Sequence, residues 1–201
     1  MLAIIEAAGW PIWPIIIASI LALGIIGERL WSLRSTEIAP TGLLDEVAQE
    51  WKAKGVSESL LNRLSLHSPL GRIFAAGLKN ADGSREVMKE SIEEAGRGVT
   101  GDLERFLTTL GTIASVSPLL GLLGTVIGMV EIFGALKPSG GSPAELAHGI
   151  SVALYNTAMG LIVAIPSMIF HRHFRAKVDA LVLEMEMQAI KLVELVHGER
   201  K

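Results

Sequence analysis

Phe106–Val130, FLTTLGTIASVSPLLGLLGTVIGMV, runs for 25 residues without an Asp, Glu, Lys or Arg. A hydrocarbon core about 30 Å thick is crossed by about 20 apolar residues of helix, so this stretch is long enough to span a bilayer. Two more charge-free runs lie on either side of it, Ala7–Gly27 (21 residues) and Gly149–Phe170 (22 residues). Only 19% of the 201 residues are charged and half are hydrophobic, against about 25% charged in a soluble domain. Mean hydropathy is +0.45. The shortage of charge is concentrated in the three runs, which excludes a soluble enzyme, a secreted disulfide scaffold and a nucleic-acid binder. The chain has no cysteine, so thiolate metal sites and cysteine nucleophiles are absent.

The charged residues between the runs orient the chain. Glu28–Arg105 holds 11 basic and 13 acidic residues, and His171–Lys201 holds six and five. Between the second and third runs, Ala135–Ala147 has one Lys and one Glu. Seventeen of the 18 basic residues therefore fall on one side, and basic loops stay in the cytoplasm. Met1–Ala8 contains Glu6 and no Lys or Arg, unlike a signal peptide, so the first run reads as an anchor with its N-terminus outside. Trp10, Trp13 and Trp31 bracket it as interfacial aromatics do. The expected organisation is an N-terminal segment and first transmembrane helix (1–30), a cytoplasmic helical domain (31–105), a second span (106–134), a short periplasmic loop (135–148), a third span (149–170) and a cytoplasmic C-terminal helix (171–201). The fold class is all-α, a polytopic membrane protein with three transmembrane helices and long cytoplasmic helical extensions.

Helical spacing continues outside the spans. Leu43, Leu44, Val47 and Trp51 share a face. Ser68-Pro69-Leu70-Gly71 opens another segment, and Asp82-Gly83-Ser84 makes a turn and N-cap. Pro118 is the only turn signal from Arg85 to about Gly134, which predicts one long helix there. In the tail, Phe174, Val178, Leu181, Val182, Met185, Ala189, Leu192, Val193 and Val196 recur at i, i+3, i+4 spacing. That spacing predicts that the third span runs on as an amphipathic helix.

The two later spans carry small and hydroxyl residues. Helices in lipid associate by close backbone approach and polar contacts. Gly121, Thr125 and Gly128 share one face of the second span, with Gly124 and Gly128 forming a GxxxG pair. Ala153, Thr157, Gly160 and Ala164 form a matching face of the third, with Asn156 beside them. Thr125 lies six residues before Glu131 and Thr157 nine after His148, about 9 and 13 Å from the outer edge. Antiparallel helices therefore bring the threonines to comparable depths. The small faces serve either as helix glue, each hydroxyl satisfied by a carbonyl, or as the lining of a narrow wetted lumen between several copies. The first span, rich in Ile, Leu and Ala, is expected to face lipid.

The run Pro118-Leu119-Leu120-Gly121-Leu122-Leu123-Gly124-Thr125-Val126-Ile127-Gly128-Met129 is followed by Gly149-Ile150-Ser151-x-Ala153-Leu154-x-x-Thr157-Ala158-x-Gly160-Leu161-x-x-Ala164-Ile165-Pro166. Together they resemble the MotA/TolQ/ExbB proton-channel family, most closely its ExbB branch. Glu28-Arg29-Leu30-Trp31 and Leu103-Glu104-Arg105 resemble it too. The resemblance implies a stator subunit that assembles as a ring, a pentamer, around an ExbD-type single-span protein. In the ExbB case proton flow drives a TonB-type transducer and outer-membrane transport. A TolQ-type subunit of the Tol-Pal envelope system and a non-conducting scaffold for partner proteins are the alternatives. The resemblance also implies an inner-membrane location, contact with lipid, and no cofactor, metal or nucleic acid. It gives Thr125 and Thr157 as pore-facing residues, with Asn156 and Ser151 as further candidates for the proton pathway. Many ExbB chains carry Glu after Gly-Ile-Ser in the third span, where this chain has Val152. The mid-membrane carboxylate must then come from the partner's span.

Other residues have both a plain and a functional reading. Glu131 and His148 sit at the outer ends of their spans, either solvated or forming an entrance for protons. Pro118 and Pro166 loosen helix ladders inside spans and, with Gly121, Gly124, Gly128, Gly160 and Ala164, belong to the helix-packing set. Glu93, Glu94, Arg97, Glu104 and Arg105 are either a solvated helix face or a cytoplasmic ring. His171 and His173, flanked by Arg172 and Arg175, lack a third metal ligand nearby and read as interfacial. The glycines of the second span lack the Lys and Ser/Thr of a phosphate loop.

Overall fold

A computed structural model describes residues 9–134 and 143–198, and these are helical without a strand. The helices are α1 (Ile12–Ser32), α2 (Ser35–Ile38), α3 (Leu43–Lys54), α4 (Glu58–His67), α5 (Pro69–Leu78), α6 (Arg85–Leu103), α7 (Leu107–Gly134) and α8 (Pro143–Val196). Three helical stretches are long and apolar enough to cross a membrane: Ile12–Ser32, Arg85–Gly134 and Leu146–Val196. The chain divides into two units, residues 1–28 with 106–173, and residues 29–105 with 174–201.

In the first unit, α1 buries Ile12, Ile15, Ala22 and Ile26. These lie on one stripe, while Ile17, Ile20, Leu21 and Leu23 are exposed. The first span, expected to face lipid, thus packs one stripe against the rest of this unit. The rest of this unit is formed by α7 and the first half of α8. Helix α8 already includes Pro143–His148, which the charge pattern placed in the connecting loop. A helix continues wherever its backbone bonds close, whereas the edge of the bilayer is set by polarity.

In the second unit, α5 is buried along most of its length, through Leu70, Ile73, Phe74, Ala75 and Leu78. Ser68 ends α4 and caps α5 by accepting from the Gly71 N–H at 3.0 Å, and Pro69 fills the first helical position, where no N–H is needed. A side chain at Gly71 would meet the Leu64 carbonyl at 2.3 Å, so only glycine permits this tight turn. Ser84 caps α6 through the Val87 N–H. In the first turn of α6, the Glu86 carboxyl is held below its usual value by its own backbone N–H and then by the Ser84 hydroxyl. Of the stripe that the tail spacing predicts, Phe174, Val178, Leu181, Met185, Ala189, Leu192 and Val193 are buried, while Val182 and Val196 are half-buried.

The single helix expected from Arg85 to Gly134 is interrupted. It stops at Leu103 and restarts at Leu107, with Phe106 in the left-handed region at φ 64°. Such a conformation costs a non-glycine residue about 1–2 kcal/mol and ends a right-handed helix. The end is covered by Arg29, 5% exposed, whose Nη1 donates to the Leu103 carbonyl at 3.1 Å. A cation at a helix C-terminus is also favoured by the macrodipole. Arg29→Met is expected to destabilise the protein by about 1–3 kcal/mol, since a buried carbonyl loses its donor. A lowered thermal midpoint in detergent is the check.

Candidate functional site: the seam between the second and third spans

Helices α7 and α8 meet along glycines. A Cβ at Gly160 would lie 2.5 Å from the Ser117 carbonyl oxygen, and one at Gly121 would lie 2.7 Å from that of Asn156. Gly124 faces the Asn156 side chain and Gly128 faces Ala153, with a Cβ–Cβ approach of 3.1 Å at the latter. Gly149 takes Ile132, and Gly111 takes His171. As residue numbers rise along α7 they fall along α8, so the two helices run antiparallel with their small residues in register. Without a hydrophobic effect between helices in lipid, this backbone approach holds them together. Gly121, Gly124, Gly128 and Gly160 thus meet the opposing helix. Ala164 is buried, and Pro118 and Pro166 lie within α7 and α8.

The glycines allow two hydroxyls to meet at the centre of this seam. Thr125 Oγ1 and Thr157 Oγ1 are 2.5 Å apart. Thr125 Oγ1 also lies 3.1 Å from the Ala153 carbonyl and 3.2 Å from the Gly121 carbonyl, and Thr157 Oγ1 lies 3.2 Å from the same Gly121 oxygen. Each hydroxyl has one proton to donate. Two protons therefore serve a set of contacts that admits more than one donor pattern, and the direction of the Thr–Thr bond can reverse. Asn156, 2% exposed, stands one residue from Thr157 against Gly124. Ser151 does not join this cluster. It is exposed, and its hydroxyl donates to the Ala147 carbonyl of its own helix at 2.9 Å.

At one end of the seam a cavity of about 480 Å³ brings together Trp10, Gly128, Glu131, His148, Val152 and Asn156. Glu131 and His148, read from the sequence as residues at two span ends and both exposed, thus line one hollow with the buried Asn156. Val152, in the place of the family's glutamate, lines it too. Lys137, a possible partner for Glu131, lies outside the described residues.

Glu93, Glu94, Arg97, Glu104 and Arg105 belong to the second unit. In the second unit, Glu93, Arg97 and Glu104 line a cavity of about 850 Å³ together with Lys89, Met185 and Glu186. Glu104 pairs with Arg175 at 3.4 Å, while Glu94 and Arg105 are exposed. His171, expected as an interfacial side chain, is half-buried, with Nε2 3.0 Å from where a Gly111 Cβ would stand. The spacing of Thr157, Ala164 and His171 at seven-residue intervals was the signal that could have placed it on the seam.

The profile of the MotA/TolQ/ExbB proton channel family matches residues 65–187. An ExbB-like biopolymer transport protein of Synechocystis sp. is 30% identical over 166 residues, covering 81% of this chain and 79% of that protein. The biopolymer transport protein exbB1 of Vibrio cholerae is 32% identical over 170 residues, 81% of this chain and 73% of its own length. The Tol-Pal system protein TolQ of Haemophilus influenzae is 33% identical over 138 residues, 62% of this chain and 60% of that protein.

Proposed function

Because this chain belongs to the MotA/TolQ/ExbB proton channel family, we propose that it is the channel-forming stator subunit of an ExbB–ExbD–TonB-type complex in a bacterial inner membrane. On this reading, copies of the chain form a ring, a pentamer, around an ExbD-type single-span protein. Proton entry through the ring drives a TonB-type transducer that powers outer-membrane transport. The observation that carries the reading is the Thr125–Thr157 hydroxyl pair, set between two charge-free spans. Hydroxyls donate and accept, so a pair with a reversible bond direction can pass a proton along a file of water. They cannot store one, and Val152 removes the family's carboxylate. The stored charge is then carried by an acid on the partner's span. Asn156 orients water beside the pair, and Glu131 with His148 gathers protons in the cavity at the outer mouth. The cytoplasmic side holds the charged α6 residues, with Glu93, Glu94, Arg97, Glu104 and Arg105 forming a ring of charge across copies.

A second reading changes the client and keeps the mechanism. The TolQ relative favours a stator of the Tol-Pal type, maintaining the envelope instead of driving uptake. Purification from native membranes separates the two readings through the identity of the co-purifying single-span protein and transducer. In vesicles, proton flux is expected only when chain and partner are reconstituted together. Absence of flux from the joint complex under a proton gradient would overturn the channel reading and leave a scaffold.

A further inference from the structure

We propose that His171 is the relay group at the inner end of the seam, taking the proton from the Thr125–Thr157 region and releasing it to water; the assignment rests on the conducting reading above. His171 is 14 residues from Thr157, and Gly111 is 14 residues from Thr125. Two heptads return a helix to nearly the same face, so the imidazole and its glycine lie on the faces that bear the hydroxyl pair, about 21 Å along the axis. The ring is seated against Gly111, where a Cβ would come within 3.0 Å of Nε2, 3.2 Å of Cδ2 and 3.3 Å of Cε1. An imidazole lying flat in a notch cut for it between two spans is placed otherwise than a side chain reaching for the membrane surface.

One polar side chain lies buried along the seam between the two points. Ser117 is 1% exposed, and its hydroxyl has no hydrogen-bond partner among the described residues. A buried hydroxyl in that state has a proton to donate and lone pairs to accept one. Pro118 lacks the N–H that would bond the carbonyl four residues before, freeing the oxygen of Ala114 from the helix ladder; Pro166 does the same for Ile162, on the exposed side of α8. The hydroxyl of Ser167 lies further along, donating to the Val163 carbonyl at 2.7 Å.

The chemistry suits an exit. Imidazole is the side chain that ordinarily changes charge between pH 5 and 8. One ring nitrogen accepts a proton from the seam and the proton on the other nitrogen leaves to water; the ring is then the other tautomer, and a turn of the imidazole or proton exchange with water resets it for the next proton. Helix α7 offers no titratable side chain from Phe106 to Val130, its nearest being Arg105 beyond the break. From α1, the charged groups at this end are Glu28, which is exposed, and Arg29, which donates to the Leu103 carbonyl. On α8, Arg172 and His173 follow His171 and project from other faces, and Arg175 pairs with Glu104 and Asp179.

The test uses the chain with its partner in vesicles, measuring proton flux while the pH on the His171 side is stepped from acid to neutral. Wild type, His171→Gln, His171→Ala with and without added imidazole, and Arg172→Gln are compared. His171→Gln is expected to lower flux at least about tenfold and to abolish its dependence on that pH. Imidazole is expected to restore flux to His171→Ala, and Arg172→Gln to stay within about twofold of wild type. Wild-type flux and pH profile in His171→Gln would overturn the assignment while leaving the channel intact. Loss of flux that imidazole does not restore, with the pH profile kept in what remains, would also overturn it and make His171 a buttress. Should His171→Gln fail to assemble, the imidazole arm decides alone. A wild-type complex that does not conduct removes the channel reading, and this one with it.

Discussion

Replacing Thr125 and Thr157 together by valine is expected to lower proton flux through the complex by roughly 10- to 150-fold. Hydrogen bonds to a charged species contribute about 1.5–3 kcal/mol, and each 1.36 kcal/mol of barrier is tenfold in rate. Valine keeps the shape of threonine, so the seam still closes while the hydroxyls that face a passing hydronium are gone. Either single variant keeps one hydroxyl bridging the two helices, Thr125 to the Ala153 carbonyl or Thr157 to the Gly121 carbonyl, so each is expected to lose less flux than the double variant. Flux in vesicles, at matched amounts of assembled complex, is the measurement. Full flux in the double variant would mean that the hydroxyls serve packing alone.

Gly160→Ala is expected to cost about 3 kcal/mol, the upper part of the usual range for overpacking. The added Cβ would meet the Ser117 carbonyl oxygen at 2.5 Å, Gly121 Cα at 3.2 Å and Gly121 N at 3.3 Å. All three are backbone atoms, so no rotamer relieves the clash and α7 must move from α8. That movement also parts Thr125 from Thr157, so flux should fall with stability. Gly128→Ala, whose new methyl meets the Ala153 side chain at 3.1 Å, should cost less. Gly24 in α1 has nothing within 4 Å of its Cβ position, and Gly24→Ala should be neutral or gain up to about 1 kcal/mol in helix propensity. Thermal midpoints of the detergent-solubilised protein give the order. Equal midpoints for Gly160→Ala and Gly24→Ala would contradict the close approach.

Part of the site was legible because lipid imposes simple rules. A residue that breaks a charge-free run is conspicuous, and so are the Thr, Gly and Asn that interrupt its apolar side chains. From Thr125 and Thr157 with their distances to Glu131 and His148, both the pairing and its depth could be inferred by counting residues along two antiparallel helices. Ser151 shows where counting fails: it shares the span and the chemistry, but its angular position turns it out of the cluster. Phe106 shows another failure, since no Gly or Pro near 104–106 announces that α6 and α7 are separate helices.

What the sequence alone determined is composition along the chain: three spans, their small faces, the capped helices of the middle segment and the apolar stripe of the tail. These follow from local spacing and polarity. Tertiary structure alone decided that Glu131, His148 and Asn156 share one cavity, that His171 rests on Gly111, and that Arg29 covers the carbonyl of Leu103. Each depends on the rotation and register of one helix against another. Those are set by the sum of many close contacts along the whole interface, which no single stretch of the chain contains.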